Sequence, residues 1–232
     1  MLEVGTKNEH TREIWIQKTL QVIPRGSRIL DAGAGEQRWR KYCAHLKYVS
    51  QDFAKYDGIG DNSGLQTGRW DQSRLDIVCD ITSIPESDAS FDAIMCIEVF
   101  EHLPEPIAAL NEFTRLLRPG GQLILTAPFC SLTHFAPYHF YTGFSRYFYE
   151  THLPAYGIQI DELLENGNYF EYMAQEIRRT PTVARRYTSL SVTLLESLAM
   201  RLVLYMLDRF SKNDSCSAEL LSYGCFVKGT KK

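Results

Sequence analysis

The chain has 232 residues, enough for one large domain or a core with an elaboration. Its composition is that of a globular protein, 44% hydrophobic and 23% charged, and a formal net charge of -3 gives no electrostatic basis for nucleic acid as the main partner. The opening MLEVGTKNEHTREIW lacks the apolar core of a signal peptide, and the six cysteines (Cys43, Cys79, Cys96, Cys130, Cys216, Cys225) form no CxxC pair and no Cys/His ligand spacing. These features predict a cytoplasmic protein with reduced thiols and no metal site.

Glu9–Val22 reads as a helix that leads into a first strand, Arg28–Asp31. Further strand-like runs follow at Lys47–Asp52, Leu75–Asp80, Phe91–Ile97 and Gln122–Ala127, each closed by a turn signal. Ala54–Arg74 is a glycine- and aspartate-rich connection longer than an ordinary loop, and so a candidate lid or insertion. Pro106–Leu117 places Ile107, Leu110, Phe113, Leu116 and Leu117 at helical spacing, with Pro119-Gly120-Gly121 as the stop. Apolar strands alternating with helices imply an α/β protein with a parallel sheet covered on both faces. Beyond Pro128 comes a segment dense in aromatics and histidines, then a strand-like Ile158–Leu164 and a mixed stretch bearing Arg178-Arg179 and Arg185-Arg186. A long apolar helix from about Tyr187 to Phe210 and a last strand near Leu221–Val227 complete the chain. With no linker between its halves, the chain reads as one domain: a core of about 24–130, an elaboration of about 131–218 and a final strand of about 219–229.

Three strands end in a carboxylate (Asp31, Asp52 and Asp80), and the fourth is followed by Glu98. Strand ends of an open parallel sheet face one crevice, where ligands bind. Any one of these acids could cap the following helix, but four at successive strand ends call for a ligand that is positive or rich in hydrogen-bond donors. The first turn, Gly33-Ala34-Gly35-Glu36-Gln37-Arg38, departs from a dinucleotide fingerprint, because Arg38 stands where a small residue is needed and Asp31 would repel a pyrophosphate. The pattern suits a nucleoside without phosphates that carries a cation, as S-adenosylmethionine does. Asp52, about twenty positions past the turn, is placed for both ribose hydroxyls. Asp80, with the backbone of Ile81, is placed for the adenine amino group.

Taken in order, "ILDAGAGEQRW", "YVSQDF", "DIVCDITSIPESDASFDAIMCIEVFEHL" and "LLRPGGQLILTAP" resemble the class I S-adenosylmethionine-dependent methyltransferases, in particular the type 11 group that acts on small molecules. The resemblance runs from Arg28 to Pro128, with an echo in "LLSYGCFVKG". It implies a Rossmann-like, mostly parallel seven-stranded sheet with helices on both faces and a C-terminal helical elaboration. It also implies that Asp31, Gly33 and Gly35 hold the methionine portion and Asp52, next to Phe53, the ribose. Asp80 and Ile81 would hold the adenine, with Ile97 and Glu98 beside the transferred methyl. Gln37, where many members have a third glycine, and the unusual Gln51-Asp52-Phe53 are departures.

Methyl transfer needs an aligned nucleophile, exclusion of water and, for a hydroxyl or ammonium acceptor, a proton acceptor. His102 follows the fourth strand, while His134, His139 and His152 lie in the aromatic segment after the fifth. His102 and His139 are the expected bases, although His102 could instead order its loop. His134, Tyr138 and Tyr141 are expected at the acceptor, a small molecule or a sugar, with Phe135 and Phe140 as apolar wall. Glu196 and Arg201 interrupt the long helix and argue against a membrane span. Burial in the chain is the expected role of its apolar circumference, with homodimerisation and membrane-surface contact as the other two readings. Two rival functions stand beside methyl transfer to oxygen or nitrogen: a non-catalytic S-adenosylmethionine-binding protein acting through a partner, and an NAD-dependent oxidoreductase.

Overall fold

A computed structural model describes residues 2–232. The chain forms two compact units, one of Ile14–Leu164 with Gly224–Lys232 and one of Met1–Glu13 with Glu165–Tyr223. The first carries a seven-stranded sheet. Its strands are β1 (Arg28–Ala32), β2 (Lys47–Asp52), β3 (Ile77–Val78), β4 (Phe91–Ile97), β5 (Leu117–Pro128), β6 (Ile158–Asn166) and β7 (Gly224–Lys231), in the order β3-β2-β1-β4-β5-β7-β6. β1 to β5 pair in parallel along that order, and β7 runs antiparallel to β5, with Leu125 opposite Val227.

Side chains alternate between the sheet's two faces, and the apolar runs of the central strands supply both. Ile29, Ala93, Met95, Ile97 and Ile124 pack with Trp15, Ile16 and Leu20 of α1 (Asn8–Gln21). Their neighbours Leu30, Ile94, Cys96, Leu123 and Leu125 pack with Leu110, Phe113 and Leu116 of α2 (Pro106–Leu116). A one-residue slip of any central strand would exchange the two sets. The sheet therefore holds its carboxyl-terminal edge in fixed register, and the candidate site is built on that edge.

Several boundaries differ from the sequence reading. The expected third strand, Leu75–Asp80, contributes only the two residues of β3 to the ladder. β5 starts directly after α2, so Pro119-Gly120-Gly121 falls inside its span, and the last strand begins at Gly224. Two helices had not been expected, α3 (Arg146–Ala155) and α4 (Tyr169–Tyr187). Each contains a proline, Pro154 or Pro181, which weakens the helical signal. The long helix is α5 (Leu194–Ser211); the serine- and β-branched run before it is not helical, and a Thr193/Glu196 capping box starts it.

The second unit has a small core of Val4, Ala174, Leu204 and Leu207, with Phe170, Met173 and Ile177 packed against it. The Gly5 N–H donates to Glu171, as does the Tyr223 hydroxyl, and the Arg178 guanidinium donates to the Leu2 and Val4 carbonyls. Burial of α5 within the chain is corrected here. Only Leu204 and Leu207 of α5 are buried, while Leu194, Leu198 and Leu202 are 92%, 56% and 64% exposed. No helix among the described residues is long and apolar enough to cross a membrane.

This difference along one helix is measurable. Leu204→Ala should destabilise the protein by about 2–4 kcal/mol, because it opens a cavity in a small core. Leu198→Ala should cost no more than about 0.5 kcal/mol. Equal losses in denaturant titrations would mean that the exposed face of α5 is covered in solution.

Candidate functional site

The chain leaves β1 through a turn in which Gly33, Gly35 and Gln37 all have positive φ, at 77°, 50° and 59°. A Cβ on Gly33 would lie 2.6 Å from a methyl of Val99, so glycine is required there for packing as well as conformation. Gln37 occupies its left-handed position without glycine's freedom, and its side chain donates to the Arg74 carbonyl. This is why the glycine common at this position can be dispensed with: a side-chain tether offsets the conformational cost. The turn is fastened to the end of β2. The Gly33 and Ala34 N–H groups donate to the Gln51 carbonyl, and the Gly35 N–H donates to Asp52 Oδ2 at 2.9 Å.

The carboxylates at this edge differ in environment. Asp31 is 1% exposed and accepts the Tyr48 hydroxyl at 2.5 Å. Burial pushes its pKa up to about 7, the Tyr48 bond opposes this, and Asp52 adds to it. Asp52 is also raised by burial, against hydrogen bonds from the Ala54 and Gly35 N–H groups. Asp80 is lowered, because it accepts from the Thr82 N–H and hydroxyl in a local turn. Glu98 directly follows β4 with φ at 55° and accepts the Thr126 hydroxyl at 2.8 Å.

A cavity of about 330 Å³ opens at this edge. Of the residues expected at the cofactor, Gly33, Asp52, Phe53, Asp80, Ile81 and Glu98 line it. Asp31, Gly35 and Ile97 are buried behind the wall. His102 and Tyr138 also line it, whereas His134, His139 and Tyr141 do not. The wall includes Lys55, Tyr56 and Trp70 from the long 54–74 connection, which sequence reasoning had not placed at the site. Tyr56, Trp70 and Phe135 form a ring cluster with centroids 4.7–5.2 Å apart, and Leu65 bridges to His134. Tyr56 and Trp70, the two aromatic residues inside that connection, were the available signal.

Beside the cavity, His102, His134 and His139 each present a ring nitrogen within 4.8 Å of the others. The sequence had predicted no metal site, because these residues show no ligand spacing along the chain; the fold alone assembles them. His102 pairs its Nδ1 with the Tyr138 carbonyl, and His134 pairs its Nδ1 with the Leu132 carbonyl. Burial holds the His102 pKa down at about 3, helped by His134, so this ring is neutral at ordinary pH. His139 is lowered for the same two reasons. Glu101, 1% exposed, places Oε1 3.6 Å from Nε2 of both His102 and His134. Burial raises the Glu101 pKa. Burial also disfavours charge on His134, but the Glu101 carboxylate, the Leu132 carbonyl and Glu98 together outweigh it and lift the His134 pKa. His152 stands apart on α3, against Phe148.

Residues 30–125 match the family model described as "Methyltransferase domain". The ubiquinone biosynthesis O-methyltransferase of Xanthomonas oryzae pv. oryzae (strain PXO99A) is 34% identical over 104 residues, which are 44% of this chain and 43% of that protein. The protein of the same name from Xylella fastidiosa (strain 9a5c) is 32% identical over 106 residues, 44% of this chain and 42% of its own. The aligned region thus spans less than half the length of these relatives. Among solved structures, a putative sarcosine dimethylglycine methyltransferase from Galdieria sulphuraria superposes with a TM-score of 0.56 at 14% identity, over 97% of this chain and 86% of its own. The [4+2]-cyclase SpnF superposes with a TM-score of 0.58 at 16% identity, over 98% and 83%. At these identities the structural likeness establishes the fold alone. The ordered motifs and the sheet order agree with this match, and residues 30–125 are the part of the chain that resembles a methyltransferase domain.

Proposed function

We propose that the protein transfers a methyl group from S-adenosylmethionine to a hydroxyl of a small, ring-containing acceptor. The observation that carries this reading is the cavity wall itself: Asp52, Asp80 and Glu98 stand beside a glycine turn, with Lys55 the one lysine or arginine on the wall. Such a wall repels phosphates and suits a ligand with a ribose diol, an amino-bearing base and positive charge. When bound, S-adenosylmethionine supplies a methyl on a sulfonium that departs as a neutral thioether. Asp52 takes the ribose hydroxyls, Asp80 and Ile81 take the adenine edge, and Asp31 provides negative charge behind the turn. Phe53, Tyr56, Trp70, Phe135 and Tyr138 exclude water and offer apolar faces to a ring. The polar cluster of Glu101 with His102, His134 and His139 handles the proton of the acceptor hydroxyl, His102 being the member on the cavity wall. A hydroxyl acceptor is favoured by the names of the relatives, which are O-methyltransferases.

A second reading rests on the likeness to a cyclase, which shows that this fold also serves chemistry other than methyl transfer. Incubation with labelled S-adenosylmethionine and a panel of phenols, catechols and sugars separates the two. Methyl transfer yields S-adenosylhomocysteine and a labelled product. A protein that binds the cofactor yet forms neither with any acceptor is acting by the second route.

Asp52→Asn keeps an acceptor for one of the two backbone N–H groups now held by Asp52 and should preserve the fold. It should weaken S-adenosylhomocysteine at least tenfold, charge-assisted bonds being worth about 1.5–3 kcal/mol each. A calorimetric affinity within twofold of wild type would remove Asp52 from the ribose site.

Asp31 makes a separate prediction about pH. Its folded-state pKa of about 7 lies above the ordinary 3.8, so the folded ligand-free protein binds a proton that the unfolded chain releases. Stability should therefore fall as pH rises from about 4 to about 7, by an amount on the order of 4 kcal/mol from this one group. Asp31→Asn should flatten that slope and stabilise the free protein at pH 8. A cationic ligand favours the ionised carboxylate, so S-adenosylmethionine affinity should rise with pH up to about 7 and then level, with proton release seen as a buffer-dependent binding enthalpy. A pH-independent affinity would show that Asp31 does not sense the ligand's charge.

A further inference from the structure

Four buried polar atoms beside the cavity have no hydrogen-bond partner: Glu101 Oε2, His102 Nε2 and both ring nitrogens of His139. Among the described residues ten buried side-chain atoms are in this state, and no other site gathers more than one residue of them together with further ligand-type groups. A buried polar atom without a partner is costly, and a cluster of them more so unless something occupies the space between. A proton between His134 Nε2 and Glu101 Oε1 still leaves Glu101 Oε2, His102 Nε2 and both His139 nitrogens unserved.

We propose that His102, His134 and His139, with Glu101, form a binding site for one divalent first-row transition ion, zinc or iron(II) in kind. Three features support this. The pairing of each Nδ1 with a backbone carbonyl, Tyr138 for His102 and Leu132 for His134, fixes the tautomer that leaves Nε2 bare, as the outer shell of a metal-bound histidine does. Nε2 of both these rings lies 3.6 Å from Glu101 Oε1, near the ligand–ligand edge of about 3.3 Å that a tetrahedral site with bonds of about 2.0–2.1 Å requires. The separations among the three histidines, all within 4.8 Å, close by side-chain rotation. Imidazole nitrogens select zinc, iron, nickel or copper, whereas magnesium and calcium require a shell of oxygens. The backbone holds the set together, since the Glu101 carbonyl accepts from the Phe140 and Tyr141 N–H groups. His102 also lines the cavity, so the ion adjoins the candidate site. Metal binding stands whether or not the methyl-transfer reading does; a role for the ion in activating the acceptor hydroxyl rests on that reading.

The test uses the full chain, stripped with a chelator and reloaded with Co²⁺ or Zn²⁺. One ion per chain should survive gel filtration and raise the melting temperature by several degrees. Co²⁺ should give the visible bands of a four- or five-coordinate nitrogen–oxygen site without a thiolate charge-transfer band. In ring ¹⁵N spectra of the unmutated protein, Zn²⁺ should shift three of the six histidines. His139→Ala and His134→Gln should each weaken Zn²⁺ at least about a hundredfold, more than the loss typical of an outer-shell partner. Replacing the exposed Cys130 and Cys216 with serine should leave the stoichiometry unchanged. No retained ion, a thiolate band, or unshifted histidine resonances would overturn the site, and the spectra decide this even if a histidine variant fails to fold. Calorimetry with S-adenosylhomocysteine on stripped protein separates loss of the metal site from loss of the cofactor reading.

Discussion

The candidate site depends on the joint between the first two strands. Gly33 and Ala34 donate to the Gln51 carbonyl, and Gly35 donates to Asp52, so the turn after β1 is held against the end of β2 by three backbone donors. The approach is closed from the other side by Val99, whose methyls would collide with any Cβ on Gly33. A polypeptide turn held this tightly fixes the neighbouring carboxylates in one geometry before any ligand arrives. Pre-organisation of this kind lowers the ordering cost of binding. It also explains why Asp52 serves the fold as well as the cavity, having one oxygen on the Gly35 N–H and the other on the Ala54 N–H.

The acids at the edge are the same residue types in different electrostatic states, and their hydrogen bonds set the difference. Asp80 accepts two bonds from Thr82 near solvent and ionises easily. Asp31 has one hydroxyl partner and no solvent, so its proton is held up to about pH 7. An uncompensated negative charge buried there is a standing cost to the free protein. Carrying that cost is reasonable where a cation offsets it in the bound state, and this links the stability of the sheet edge to the charge of the ligand.

The parts legible in sequence were those governed by short-range periodicity. β1, β2, β4 and α2 follow from apolar runs and helical spacing, and the carboxylates follow from where those runs stop. β3 was overestimated because Leu75–Asp80 has strand composition, while only Ile77 and Val78 pair with β2. α3 and α4 were hidden by internal prolines, and α5 was read as beginning too early because the apolar Leu190 and Val192 extend its pattern through a non-helical run. Burial of α5 was misjudged for a different reason: an apolar circumference states what a helix can pack against, not whether the chain supplies a partner. The histidine cluster had no local signature, since His102 meets His134 and His139 only because β4 and β5 are adjacent and in register.

The division of the cavity wall bears on what the relatives can teach. The matched segment, residues 30–125, contains the turn, Asp52, Asp80, Glu98 and His102. Phe135, Tyr138 and Phe140 lie beyond it, as do His134 and His139 of the cluster. The groups expected to hold the cofactor thus fall in the part of the chain shared with known methyltransferases, while much of the apolar wall and two of the three histidines do not. Selectivity between acceptors comes from differences in such walls, because a methyl donor bound the same way presents the same electrophile to each. The turn lies within the matched segment and so bears on the donor, while the proposed acceptor is to be read from the 129–145 segment. Aromatic rings there, rather than further carboxylates or amides, argue for an acceptor recognised by its ring faces more than by many hydroxyls.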